Sequence, residues 1–430
     1  MSDKHQQDEK IVIKDFVVLK DIEISLRSLN ILIGPQANGK SLVAKLVAFF
    51  QTLSGQFSSA AKNGHGKREL DREILKQFEE RFPRYSWETS EFEIHYFVDD
   101  IAITIMSSKK KAGGVKVVTK FSDCLFKEYS KAKKAIEKVK FEHAPNLSID
   151  DEAVTSDEFR KKINQVLRQF RERFPRFFSN SIFIPSSRSF FANLQKNIFT
   201  FLASNIDIDP YIKSFGKTYE QIKGFHSDGF FRHLRTGDNR EVSATIAKIT
   251  AEIMDGRYEH YKEQDWIINK KRKVNVANAS SGQQEALPML LILGVWPFIT
   301  KQSNIFIEEP EAHLFPTAQS QILSIISILL KMTDSKFFIT THSPYFLSGL
   351  NNLVYASDLI ERKKLTLESF KEKAKASEPI DLDDVSAFQI DRGVSKSIVD
   401  YELNLVGADL LDEVSEQFSE VMEFLLDKDD

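Results

Sequence analysis

Residues Gly34-Pro35-Gln36-Ala37-Asn38-Gly39-Lys40-Ser41 satisfy the spacing G-x-x-x-x-G-K-[ST], a pattern whose chemistry is the gripping of phosphate. Glycines at 34 and 39 let backbone N–H groups converge on phosphate oxygens, and a helix starting here adds its positive end. Lys40 then reaches the β- and γ-phosphates and the Ser41 hydroxyl is suited to ligate Mg²⁺, with Pro35, Gln36, Ala37, Asn38 and Leu42 completing the cradle. Three further groups lie far along the chain. Ile305-Phe306-Ile307 runs into Glu308-Glu309, an apolar strand ending in two carboxylates, of which Glu308 can hold magnesium through water and Glu309 can polarise an attacking water. Lys336-Phe337-Phe338-Ile339 is another strand, and it ends in Thr340-Thr341-His342-Ser343-Pro344, so that His342 can donate a hydrogen bond to a γ-phosphate. Ser280-Ser281-Gly282-Gln283-Gln284 heads an apolar helix shortly before the acidic strand, a sequence that taken alone reads first as ordinary serine capping.

These groups must be carried by strands and helices, and the pattern supplies them. The run Leu29-Asn30-Ile31-Leu32-Ile33 predicts a buried strand, and 41–50 has the apolar spacing of a helix without breakers. Ahead of them, 11–13, 16–18 and 22–26 are strand-like, and a Gly/Ser-rich stretch over 54–66 separates the helix from a charged helical segment at 68–81. Alternating runs at 92–97, 101–105 and 115–121 predict an antiparallel meander, with Lys109-Lys110-Lys111 and Gly113-Gly114 at a turn. Two polar helices over 123–139 and 156–173 follow as a hairpin joined by the acidic stretch 143–155. Helices dominate 190–257 after a strand at 181–185, and a strand pair is expected around 266–268 and 273–276. Alternation then returns as helix 283–298, strand 304–307, helix 312–331, strand 336–339 and a helix after Pro344.

At 430 residues the chain predicts two or three packed units. Fifty-nine Lys+Arg stand against 62 Asp+Glu for a net charge of -3, so any affinity for nucleic acid requires a local patch. The single cysteine, Cys124, excludes an internal disulfide framework and a cysteine-based zinc site, and suits a reducing compartment. A polar N-terminus and the lack of any 18-residue apolar run point to a cytoplasmic chain with no membrane partner. The 35 Phe residues recur inside apolar patterns and are expected to fill cores.

In order and spacing the four chemical groups resemble the ATP-binding cassette ATPases of the chromosome-maintenance, recombination and overcoming-lysogenization-defect branch. Gly34 to Ser41 stands at the P-loop, Ser281-Gly282-Gln283-Gln284 at the signature, Glu308-Glu309 where Asp-Glu is usual, and His342 at the switch histidine. The phrases Pro310-Glu311-Ala312-His313-Leu314-Phe315-Pro316 and Thr341-His342-Ser343-Pro344 are most similar to the compact bacterial ATPases of antiviral defence operons, of Septu and PARIS type. The likeness covers 11–50 and 275–355 well, and the span between carries only the familiar Ile184-Pro185-Ser186-Ser187-Arg188. Two departures stand out: Glu308 is one methylene longer than the common Asp, and no glutamine after the first helix makes a convincing Q-loop, Gln51 and Gln56 being only nearby.

The resemblance implies an α/β fold, an ABC-ATPase head whose P-loop sheet is flanked by helices, with an antiparallel β subdomain and a helical insertion. Residues 1–60 and 271–360 would form the head, 61–180 the meander and hairpin, 181–270 a helical lobe and 361–430 a C-terminal helical segment. It further implies ATP and Mg²⁺, with Lys40, Glu309 and His342 catalytic, Ser41 and Glu308 on the metal, and Ser281, Gly282 and Gln283 completing a second copy's pocket. The chain would then be at least a homodimer, the sensor or scaffold of an antiphage complex acting on a separate effector protein, such as a nuclease. The alternatives are a repair or recombination ATPase that clamps DNA and a nucleotide-binding module with negligible turnover.

Lys131, Lys134 and Lys138, with Arg160, Lys161, Arg168, Arg171 and Arg173 on the next helix, read either as a phosphate-binding stripe or as a solvated face. Leu411, Val414, Phe418, Val421 and Leu425 recur at near-heptad spacing, a seam for a partner or for the chain's own domain.

Overall fold

A computed structural model of the chain describes residues 9–109, 115–143, 157–192, 208–227, 239–262, 264–270, 272–300 and 302–407. The expected turn at 110–114, most of the acidic connection at 143–155 and the apolar seam at 411–425 lie outside them. The chain divides into two compact units, the first built from Met1–Leu26, Lys45–Ser181 and Arg392–Val394, the second from Arg27–Ala44, Ile182–Asp391 and Ser395–Asp430. No helix among the described residues is long and apolar enough to cross a membrane.

The first unit is an antiparallel sheet backed by helices. Its strands are β1 (Lys10–Phe16), β2 (Leu19–Ser25), β4 (Glu93–Val98), β5 (Ile101–Lys109) and β6 (Val115–Phe121), in the order β6-β5-β4-β1-β2. Period-two burial sets the register: Ile11 and Ile13 point inward and lie opposite Ile24 and Ile22 of β2. The meander expected over 92–121 is therefore present, extended by β1 and β2. Helix α1 (Lys40–Asn63) continues well beyond the expected end at Phe50. Its apolar stripe persists through the Gly/Ser-rich stretch, because Leu53, Phe57, Ala60 and Ala61 are buried, and the Phe57 ring meets those of Phe121, Tyr129 and Phe177. A second aromatic cluster packs Phe16, Phe49, Phe78, Phe82, Phe92 and Trp87, with Phe16 and Phe92 centroids 4.9 Å apart. Phe78 comes from α2 (Lys67–Arg81), the charged helix. Helices α3 (Asp123–His143) and α4 (Asp157–Arg173) pack on each other, as the hairpin reading requires.

Gln51 and Gln56 lie inside α1, not on a loop. The buried Gln51 amide donates to Glu9 Oε1 at 2.9 Å and accepts from the Ser181 hydroxyl at 3.3 Å, while the Tyr96 hydroxyl donates to the same Glu9 oxygen at 2.6 Å. Gln51 thus satisfies a buried carboxylate in the first unit.

The second unit carries the chemical groups. Strands β3 (Leu29–Ile33), β7 (Asn180–Ile184), β11 (Ser303–Glu308), β12 (Ser335–Thr341) and β13 (Val385–Asp391) follow the order β13-β3-β12-β11-β7. β3 runs parallel to both β12 and β13, and β11 parallel to β12. Being covered on both faces, β3 and β11 are buried at every position rather than at alternate ones. The polar exception in β3, Asn30, accepts from Arg27 N–H and donates to the carbonyls of Arg27 and Phe337, which settles its burial. The core continues into α5 (Pro210–Ser227), α6 (Asn239–Ile253), α7 (Ser281–Leu293), α8 (Pro316–Met332) and α9 (Pro344–Glu361), with a small antiparallel sheet of β8 (Arg257–Tyr261), β9 (Gln264–Ile268) and β10 (Lys273–Asn275). The helix expected from 312 begins only at Pro316, because Glu309 and His313 adopt φ values of 45° and 58° in consecutive tight turns.

Candidate nucleotide-binding site

Parallel pairing determines what meets what. With Ile33 beside Thr341 and Glu308 beside Thr340, the C-terminal ends of β3, β11 and β12 share one edge of the sheet. The loop from Gly34, the Glu308-Glu309 pair and His342 are therefore neighbours despite the long sequence between them, in the crevice where open α/β sheets place ligands.

The P-loop needs its first glycine for space as well as conformation. Gly34 has φ 146°, and a Cβ there would lie 2.2 Å from the Ile390 carbonyl oxygen of β13. Gly39 has φ 97° and Ala37 φ 61°, so the loop makes a left-handed passage before α1 begins at Lys40. Pro35, Gln36, Ala37 and Ser41 are exposed, and Asn38, Gly39 and Leu42 are partly so. Lys40 is buried, with Nζ donating to the carbonyls of Gly34 and Pro35 at 2.7 Å each. Burial lowers the Lys40 pKa below the usual lysine value, while the charges of Glu309 and Glu311 pull it back up.

His342 stands between that lysine and the hydrolytic candidate. Its Nδ1 is 3.5 Å from Lys40 Nζ and its Nε2 is 3.3 Å from Glu309 Oε1. An ammonium can only donate, so Nδ1 must accept, and the proton of the neutral ring then sits on Nε2 and faces the Glu309 carboxylate. The histidine is aimed by its neighbours: Glu311 Oε1 accepts from the Thr341 hydroxyl and from the His342 N–H at 2.7 Å each. Ser343 caps α9 through the Phe346 N–H and donates to Gln319 Oε1 at 2.6 Å.

Glu308 is buried and its Oε2 accepts from the Ser186 N–H at 3.3 Å. Ser41 and Glu308 offer oxygen donors, which suit a hard cation such as Mg²⁺. Among the described residues no group of three or more His, Cys, Asp or Glu is placed to hold a metal ion. A cation bound there would complete its shell with phosphate and water oxygens, as magnesium commonly does.

The two serines at the head of α7 differ in their surroundings. Ser280 is the cap of α7: its hydroxyl accepts from Gln283 N–H at 3.3 Å, and Gln283 Oε1 accepts from the Ser280 N–H at 3.2 Å. Gln283 also donates to the Met254 carbonyl at 2.7 Å, so its side chain is occupied in holding the helix start. Ser281, the first residue of the helix, is exposed. Gly282 is there for clearance, since a Cβ would come within 2.6 Å of the His313 carbonyl oxygen in the turn after Glu309.

Two residues at this edge, Arg188 and Glu311, stood in family-like phrases of the sequence with no role attached. Arg188 is fully buried and donates to the carbonyls of Pro185, Glu285, Glu308 and Glu309. Burial lowers its pKa, opposed first by the Glu285 charge and then by Glu311, Glu308 and Glu309. The available signal was an arginine just after the apolar strand-like run ending at Ile184, a position where a buried charge must have partners. Glu311 appeared only inside a family-like phrase. Its role in fixing the His342 turn follows from contacts across 31 positions of sequence.

Among solved structures the chain is similar to the Smc head bound to the C-winged helix domain of ScpA, at 14% identity and TM-score 0.38 over 91% of this chain and 96% of that one. It is similar to the SMC head domain from Thermotoga maritima at 12% identity and TM-score 0.33, covering 80% of this chain and 91% of that one. A third similarity is to the Smc head domain with an extended coiled coil bound to the C-terminal domain of ScpA derived from Pyrococcus furiosus, at 13% identity and TM-score 0.37, covering 95% and 99%. A search of curated proteins finds no significant match. A family model described as AAA ATPase domain matches residues 9–347, most of the chain and all four chemical segments, and the protein belongs to that family.

Proposed function

We propose that the chain is an ABC-type ATPase in which the P-loop of one copy grips ATP and Ser281, at the start of α7 of a second copy, completes the pocket. The observation that carries this reading is His342 standing between the Lys40 ammonium and the Glu309 carboxylate at one sheet edge. Lys40 neutralises the transferring phosphoryl group, and Glu309 orients the attacking water and accepts its proton. His342 holds Glu309 through Nε2–H and can turn that donor toward the γ-phosphate. Ser41 and Glu308 would hold Mg²⁺ through their oxygens, and the ion, when bound, would supply positive charge against the phosphates. Ser281 is exposed on a helix N-terminus that Ser280 and Gln283 keep formed, so a hydroxyl and a positive helix end are available to an anion from outside this copy.

A shared pocket makes a specific demand on mixtures. Lys40→Ala removes the grip and Ser281→Arg blocks the completing face, so each alone is expected to release no phosphate from ATP. Mixed one to one, they form a heterodimer with one intact pocket, and about a quarter of the wild-type rate returns if copies pair at random and the pockets turn over independently. A mixture as inactive as its parts would exclude a pocket shared in this way.

The biological setting we favour is a sensor or scaffold that controls a separate effector in antiphage defence. It rests on the likeness of Pro310 to Pro316 and Thr341 to Pro344 to the ATPases of such operons. Exposed basic residues of α3 and α4, among them Lys134 and Arg171, favour the DNA-clamping alternative, although Lys131, Lys138, Lys161 and Arg168 are engaged in ion pairs within their own helices. Copurification with the product of a neighbouring gene supports the first, and salt-dependent retention of duplex DNA by the purified chain supports the second.

A further inference from the structure

The carbonyl oxygens at the end of β11 are held by a guanidinium. Arg188 Nη1 donates to the Glu308 carbonyl at 2.7 Å and to the Pro185 carbonyl at 2.9 Å, Nη2 to the Glu309 carbonyl at 3.0 Å, and Nε to the Glu285 carbonyl at 2.9 Å. The balancing charge is Glu285, whose Oε2 lies 3.5 Å from Arg188 Nε. Both its oxygens are anchored on the same segment, Oε2 accepting from Arg188 N–H at 3.0 Å and Oε1 from Ser189 N–H at 3.1 Å. Glu285 sits one helical turn after Ser281 on α7.

Glu309 is the residue in need of such a hold. Its φ of 45° is the left-handed region, which is unfavourable for a residue other than glycine. On one side its N–H donates to the Thr340 carbonyl at 2.8 Å, and on the other its carbonyl accepts from Ala312 N–H at 3.0 Å and from Arg188. A buried ion pair is a poor source of stability, but a planar fork that reaches carbonyls of three segments admits one arrangement of all three.

We propose that Arg188, itself held by Glu285, is a positioning residue for hydrolysis: it fixes the Glu309 backbone in its left-handed turn and makes that turn and the start of α7 move as one body. The proposal rests on the reading of Glu309 as the carboxylate that activates water. Lysine in place of Arg188 keeps the charge but, with one nitrogen, cannot serve carbonyls from β7, α7 and β11 together. Glu309 then keeps only its bonds to Thr340 and Ala312, and its carboxylate moves relative to His342.

The test uses the full-length chain with Mg²⁺ and ATP, as wild type, Arg188→Lys and Glu285→Gln, each also combined with Glu309→Gln. Phosphate release gives kcat, titration with a fluorescent ATP analogue gives Kd, and the thermal midpoint reports folding. Arg188→Lys and Glu285→Gln are expected to lower kcat by about 10²-fold, the scale of a small misplacement of a reacting group, with Kd unchanged. In the Glu309→Gln background neither is expected to lower the residual rate further, because both act through Glu309. A Kd that weakens in step with kcat, or a second full loss on top of Glu309→Gln, would overturn the proposal. If Arg188→Lys does not fold, Glu285→Gln decides by the same criteria, since its amide keeps the shape and one acceptor oxygen. An active wild type matched by an equally active Arg188→Lys overturns the positioning role alone. A wild-type chain that releases no phosphate overturns the ATPase reading and this proposal with it.

Discussion

Replacing Lys40 with alanine is expected to abolish nucleotide binding at micromolar concentrations, measured by titration with a fluorescent ATP analogue. Lys40 Nζ is the donor that the P-loop carbonyls of Gly34 and Pro35 share, and its charge lies within reach of Glu309 and Glu311. Removing it leaves those carbonyls without that donor and leaves the two carboxylates to repel a triphosphate. A charge-assisted hydrogen bond contributes about 1.5–3 kcal/mol, so losing two phosphate contacts corresponds to roughly 10²–10⁴ in Kd. Arginine is not a substitute, because the nitrogen must fit between the two carbonyls of a loop held against β13. An unchanged Kd in the alanine variant would mean that the phosphates lie elsewhere.

The second large effect is on turnover. Glu309→Gln is expected to bind ATP as tightly as wild type and to lower kcat by about 10²–10⁴-fold, the usual worth of a general base. Glutamine keeps the length and an oxygen that can accept from His342 Nε2–H, but it cannot take a proton from water. Binding without hydrolysis should trap the nucleotide-bound pair of chains, read as a doubling of mass by light scattering on adding ATP. Normal phosphate release from this variant would show that another group activates water. The mass measurement separates the two halves of the proposal, since a variant that loses turnover yet stays monomeric with ATP bound supports the base and not the shared pocket.

The groups easiest to find in the sequence were those that follow apolar strands. Gly34 to Ser41, Glu308-Glu309 and His342 each come directly after a run that had to be a buried strand, and parallel pairing then had to bring them to one edge. Element limits were harder wherever tertiary packing overrode local composition. Gly55 and its neighbouring serines resemble a break, yet buried Leu53, Phe57 and Ala61 carry α1 through them. Residues 312–315 have helical composition, yet the turns at Glu309 and His313 postpone α8. Arg188 and Glu311 were least legible, because each acts on backbone groups from segments remote in sequence, and no local spacing encodes that. Ser281 lay between these extremes: the helix start could be read, but which serine caps and which faces outward depends on the geometry of the Ser280–Gln283 box.

The pairing of β3 with β13 has a practical corollary. The family match ends at residue 347, whereas β13 spans Val385–Asp391 and forms the wall against which Gly34 is pressed. A fragment trimmed to the matched region would discard that wall, leaving one side of the central strand with bare amides and carbonyls and the phosphate loop with nothing behind it. Any shortened version meant for crystallisation or binding assays should therefore retain the sequence through Asp391, and a dead fragment ending earlier would report a missing strand and not a missing activity.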